Sequence, residues 1–171
     1  MQTESVDVLI VGGGLSGVGA ACYLRKECPG KTFAILEARE ALGGTWDLFR
    51  YPGIRSDSDM YTLGYSFKPW YDPNAIAGGS KILNYIRETA QQHDIERHVR
   101  FGHKVKRAQF SSADATWTVE AECGGELKRF RCNFLFSCTG YYSYDGGYLP
   151  QFPGSETFGG QMIHPQKWPT D

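Results

Sequence analysis

The chain has 171 residues and a net charge of −1, enough for one domain with a proper core or one domain and the start of another. That charge offers no electrostatic case for nucleic acid or an anionic membrane surface. No stretch approaches the roughly 18 to 20 apolar residues that a membrane span needs, and Met1 to Ser5 carries no basic signal region, so the chain reads as cytoplasmic. The cysteines, Cys22, Cys28, Cys123, Cys132 and Cys138, are odd in number and form no C-x-x-C. They point to free thiols and away from a disulfide scaffold, a zinc site or a redox pair.

In chain order, Val6 to Val11 is a run of β-branched and apolar residues that predicts a strand buried on both faces. It ends in Gly12-x-Gly14-x-x-Gly17, and a small-residue helix from Ser16 to about Glu27 follows. Gly12 makes the tight turn, Gly14 lets the backbone approach a pyrophosphate, and Gly17 lets helix and strand pack closely. The N–H groups at the helix start and its positive dipole end complete an anion site, with Ser16 beside it. Pro29-Gly30 breaks the helix, Phe33 to Leu36 predicts the second strand, and Glu37 stands at its end. A carboxylate at that place accepts the ribose hydroxyls of an adenosine. Strand, glycine turn, helix and acid together predict a Rossmann-like α/β dinucleotide-binding fold.

Gly43-Gly44-Thr45-Trp46 predicts a second cofactor contact made by close backbone approach, a hydroxyl and a large ring. Asp47 to Asp59 has no period and interleaves Arg50, Arg55, Asp57 and Asp59 with aromatic residues, the pattern of a functional loop. Met60 to Asp72 is aromatic and irregular. Ser80 is expected to cap a helix over 81–92 that places Ile82, Leu83, Ile86 and Ala90 on one face. His93, Asp94 and His98 fit no familiar metal-ligand spacing, and no metal site is assigned. Strands over 104–110, 117–121 and 127–132, with Gly124-Gly125 as a hairpin turn, predict a small antiparallel meander. Phe134 to Gly140 predicts a buried strand returning to the central sheet, and Tyr141 to Gly147 a turn-rich loop.

The tail carries Phe158, Gly160, His164, Trp168 and Pro169 in the order FxGxxxHxxxWP. With Gly43 to Trp46, Arg50-Tyr51-Pro52-Gly53 and Arg55-x-Asp57, the chain resembles the class B flavoprotein monooxygenases, a family that includes the microsomal-type and Baeyer–Villiger enzymes. Within the Baeyer–Villiger branch it is most similar to the ethionamide-activating monooxygenases of mycobacteria. The resemblance implies a three-layer FAD-binding domain over residues 1–150, with a parallel sheet, helices on one face and a β-meander on the other. Residues 151–171 would be the linker bearing the fingerprint, with the NADPH domain absent, so that the chain is the N-terminal portion of such an enzyme.

The same resemblance implies FAD and NADPH as cofactors, O2 as co-substrate, and a ketone, sulfide or thioamide as the small-molecule substrate, oxidised through a C4a-peroxyflavin. Gly12, Gly14, Ser16, Gly17 and Glu37 would hold the pyrophosphate and ribose. Gly44, Thr45, Trp46 and Asp57 would lie at the flavin, and the Val105 backbone at the adenine. Arg55, Ser56 and Asp57 would face the nicotinamide, and Asp57 is the catalytic candidate, setting charge and orientation around the peroxide. His164 would couple domains. Without the NADPH domain the segment is not expected to turn over unaided. The alternatives are an inactive remnant with weak or no FAD binding, and part of a flavin disulfide or ferredoxin reductase, which the missing C-x-x-C argues against.

Overall fold

The computed structural model describes residues 3–169. Its centre is a six-stranded mixed sheet. β1 (Thr3–Val11) runs into α1 (Leu15–Glu27), and β2 (Phe33–Leu36) returns parallel beside β1, with Val8 registered on Phe33 and Val11 on Leu36. Two single-turn helices, α2 (Thr45–Leu48) and α3 (Met60–Leu63), bracket the irregular loop after the second glycine pair. Then come α4 (Gly79–Gln92) and a short β3 (Val99–Arg100) parallel to β2. β4 (Lys104–Ser111), β5 (Thr116–Cys123) and β6 (Glu126–Ser137) form the meander, giving the strand order β3-β2-β1-β6-β5-β4.

Alternation along the parallel strands explains the layers. Val8, Ile10, Phe33 and Ile35 point to one face and pack with Val18, Ala21 and Cys22 of α1 and Ile82, Ile86 and Ala90 of α4. Leu9, Ala34 and Leu36 point to the other and pack with Val119, Ala121, Phe130 and Cys132 of the meander. The meander therefore continues the sheet at its edge and also curls over the face opposite the helices. Each Val, Leu, Ile or Phe among them taken fully from water contributes about 1.5–3 kcal/mol, and the alanines less. The Cys123–Glu126 pairing is closed by Gly124 and Gly125, both at positive φ (59° and 81°), as a two-residue hairpin requires.

Three expectations are corrected. The strands expected over 127–132 and from Phe134 onward are one continuous strand, β6, which pairs with β5 from Glu126 to Cys132 and with β1 from Arg129 to Ser137. Asn133 only looks like a break, because a polar residue on a strand with one open face needs no turn. The second half is not buried: Phe134 and Phe136 are 56% and 42% exposed, and they border an apolar hollow with Tyr23 and Leu24. Ser80 does not cap α4; the helix starts at Gly79, whose N–H is taken by the Ile54 carbonyl at 2.9 Å. A Cβ on Gly79 would sit 3.0 Å from the Ile54 side chain, so the loop and helix meet closely there.

Candidate dinucleotide site

The glycine turn is shaped by backbone contact. Gly12 has φ 106°, and a Cβ there would lie 2.3 Å from the Cys138 carbonyl oxygen; one on Gly17 would lie 1.9 Å from the Gly12 oxygen. The first glycine turns the chain and the last lets α1 cross close over β1. Gly14 is the N-cap of α1 and places no side chain on the helix start. Gly43 donates its N–H to the Gly13 oxygen at 3.0 Å, and Gly44 (φ 54°) lies against Gly14, so the two glycine pairs form one backbone wall.

Glu37 is 1% exposed. Its Oε2 accepts the Gly13 N–H at 2.7 Å and its Oε1 the Arg39 N–H at 2.8 Å. Two backbone donors fix the carboxylate while each oxygen keeps acceptor capacity for a ligand hydroxyl.

Two cavities meet at Gly12. The larger, about 630 Å³, is lined by Gly12, Gly14, Ser16, Gly44, Thr45 and Trp46 among others. The smaller, about 300 Å³, is lined by Gly12, Glu37 and Val105, with the loop from Tyr142 to Asp145. Thus the structure brings together Gly12, Gly14, Ser16, Gly44, Thr45 and Trp46 on one side and Glu37 and Val105 on the other. Gly17 lies beneath the turn as its packing contact. Arg55, Ser56 and Asp57 line neither cavity. Arg55 and Asp57 are exposed. Ser56 is buried, with its Oγ donating to the Ser58 oxygen at 2.7 Å and its N–H held by the Ala77 oxygen, so it pins the loop from within.

The sequence reading missed a charge cluster behind the wall. Asp47, on α2 and 3% exposed, pairs with Arg39 at 2.5 Å, Arg87 at 2.8 Å and Arg50 at 3.3 Å. An aspartate inside the apolar run Trp46 to Phe49 was the available signal. Arg39 Nη1 is buried with no hydrogen-bond partner, and an unmet buried donor costs roughly 1–3 kcal/mol. The Tyr144 ring lies 5.5 Å from the same guanidinium. Burial first, and then the nearby Glu37 and Asp47 carboxylates, push the Tyr144 phenol above its usual range, while Arg39 opposes them. His164 sits where a Cβ on Gly147 would be, 1.8 Å from its ring, and its Nδ1 accepts the Gln166 N–H. The fingerprint tail thus packs on the loop that carries Tyr144.

Fold and site define the class: a Rossmann-like dinucleotide-binding domain. The family model for the NAD(P)-binding Rossmann-like domain matches residues 10–73. Along nearly its whole length the chain resembles FAD-containing monooxygenases. It is 59% identical to the FAD-containing monooxygenase EthA of Mycobacterium tuberculosis, over 99% of this chain and 35% of that protein. The EthA of Mycolicibacterium smegmatis is 54% identical with the same coverage. Among solved structures, oxidized steroid monooxygenase bound to NADP superposes with a TM-score of 0.80 at 32% identity. The open crystal structure of cyclohexanone monooxygenase gives 0.82 at 29%. These cover 97% and 98% of this chain and 32% of each of theirs. The chain spans about a third of the length of the relatives it matches. The resemblance to flavin-dependent monooxygenases read from Gly43 to Asp57 and from Phe158 to Pro169 is supported by these relatives.

Proposed function

We propose that this chain is the FAD-binding part of a monooxygenase that uses NADPH and O2. The observation that carries the reading is the pair of cavities joined at Gly12, with the anchored Glu37 carboxylate on one side and the uncapped α1 start with Thr45 and Trp46 on the other. FAD fits this layout. A Cβ on Gly14 would have only Gly44 within 4 Å, so a bare backbone faces the larger cavity as a pyrophosphate needs. Glu37 would accept the ribose hydroxyls, Val105 would meet the adenine, and the α1 dipole with Ser16 would hold the phosphates. Gly44, Thr45 and Trp46 would flank the flavin ring. Bound FAD would supply hydride acceptance from NADPH and activation of O2, chemistry that no side chain here offers.

Arg55, Ser56 and Asp57 belong, in this reading, to the nicotinamide side, with Asp57 orienting charge at the reacting end. Residues 1–150 form the FAD domain and 151–171 the linker, of which 170 and 171 lie outside the described residues. Similarity to cyclohexanone and steroid monooxygenases favours a ketone; a sulfide or thioamide is the other class carried by the EthA resemblance. Among the described residues no helix is long and apolar enough to cross a membrane. All five cysteines are free thiols, which favours a reducing compartment, the cytoplasm.

The test is an absorbance spectrum after incubation with FAD and desalting. A retained flavin band is expected, and Glu37→Ala should lose about 1.5–3 kcal/mol of FAD affinity with its charged hydrogen bonds. A colourless wild-type chain overturns FAD binding by these residues, and unchanged affinity in the variant overturns the ribose placement.

A further inference from the structure

Helix α1 holds two glycines, Gly17 and Gly19. The first is accounted for by the turn beneath it. The second stands in the helix interior, where glycine is destabilising relative to alanine. An aromatic ring fills the space its missing side chain leaves: a Cβ on Gly19 would lie 2.8 Å from Tyr65 Cε1. Lying against Gly19, the ring brings its hydroxyl to the first turn of α1, where Oη donates to the Leu15 oxygen at 2.6 Å.

The ring is held firmly from its other sides. Phe67 and Tyr85 stack on it, with centroids at 4.9 and 5.4 Å and planes within 7° and 22°. Tyr85, on α4, accepts the Tyr65 N–H at 2.8 Å and donates to the Lys68 oxygen. Burial first, then Cys22 and Tyr85, push the Tyr65 phenol far above its usual range, so it stays a donor at any working pH. Tyr65 lines neither cavity. What it touches is the far side of a peptide that does.

Leu15 and Ser16 share one peptide unit, and both residues line the larger cavity. The carbonyl of that unit takes the Tyr65 bond. Its N–H, belonging to Ser16, is among the first-turn donors that no helical carbonyl satisfies. A bond accepted at the oxygen polarises the unit and strengthens the bond its N–H gives, by roughly 10–30%.

We propose that Tyr65 is a positioning residue for the cofactor's pyrophosphate: reaching across Gly19, its hydroxyl fixes and polarises the Leu15–Ser16 peptide, which makes the Ser16 N–H a stronger donor to a phosphate oxygen. The inference rests on the FAD reading above. It concerns the phosphates alone, because Glu37 and Val105 lie on the other cavity.

The experiment is calorimetric titration of the chain with ADP and, separately, with adenosine, which lacks the phosphates. Tyr65→Phe keeps the ring and removes only the hydroxyl. It should bind ADP about threefold more weakly and adenosine as the wild type does. Gly19→Ala introduces the better helix former, yet its methyl displaces the ring, so the same loss confined to ADP is expected. Unchanged ADP affinity in either variant overturns the proposal. Equal losses for ADP and adenosine also overturn it and make Tyr65 a packing residue. The FAD reading fails differently: a wild-type chain that takes neither ligand brings it down, and this inference with it.

Discussion

Two apolar runs of this chain lead to the same glycine turn and meet different fates. Phe33 to Leu36 is buried at every residue, between β1 and β3 and under both the helices and the meander. Phe134 to Ser137, at the end of β6, pairs with β1 in parallel, yet Phe134 and Phe136 stand half in water. Composition is nearly the same in the two; what differs is the number of covered faces. A run of apolar residues records what a strand is built to touch, and burial records what lies beside it.

Substitutions should split along this line. Ile35→Ala removes a side chain with no exposure from the helix-side core, and should cost about 3 kcal/mol in urea unfolding. Gly17→Ala tests the tightness at the same end of the sheet, where the added methyl meets the Gly12 carbonyl. Backbone cannot step aside as a side chain can, so a loss of roughly 2 kcal/mol is expected. Thiol labelling reads the same contrast without substitution. Cys28 is exposed, whereas Cys22 is buried and its thiol is pushed up to about 11 by burial, against the opposing pull of Arg25 and Lys68. At pH 8 iodoacetamide should take Cys28 first, Cys138 more slowly, and Cys22 only once the chain unfolds. Labelling of Cys22 in the folded state would mean that the helix-side core opens. The smallest effect belongs to Phe136→Ser, within about 0.5 kcal/mol of the wild type. A loss as large as that of Ile35→Ala would erase the distinction between the two runs.

What the sequence disclosed was local. Val6 to Val11, the glycine turn, Phe33 to Leu36 and Glu37 are neighbours in the chain whose pattern states their geometry, and their elements stand where the pattern puts them. What stayed hidden depends on distant partners. Ser80 looks like a cap until Ile54 satisfies Gly79. Asp47 looks like a loop carboxylate until α4 brings Arg87 to it. Tyr144 is one tyrosine among several until the fold lays it on Arg39. Half of the site could be read because nucleotide-binding turns are compact, and half could not because charge pairing and ring stacking are made across the fold.

The pairing of β1 with β6 also bears on how the protein is born. Thr3 is registered with Arg129 and Val11 with Ser137. On the ribosome, β1 can take β2 as a partner soon after both emerge, but its other edge stays open until β6 has cleared the exit tunnel. Until then the nascent chain exposes an unpaired, apolar strand edge, the kind of surface that invites wrong partners and slows folding.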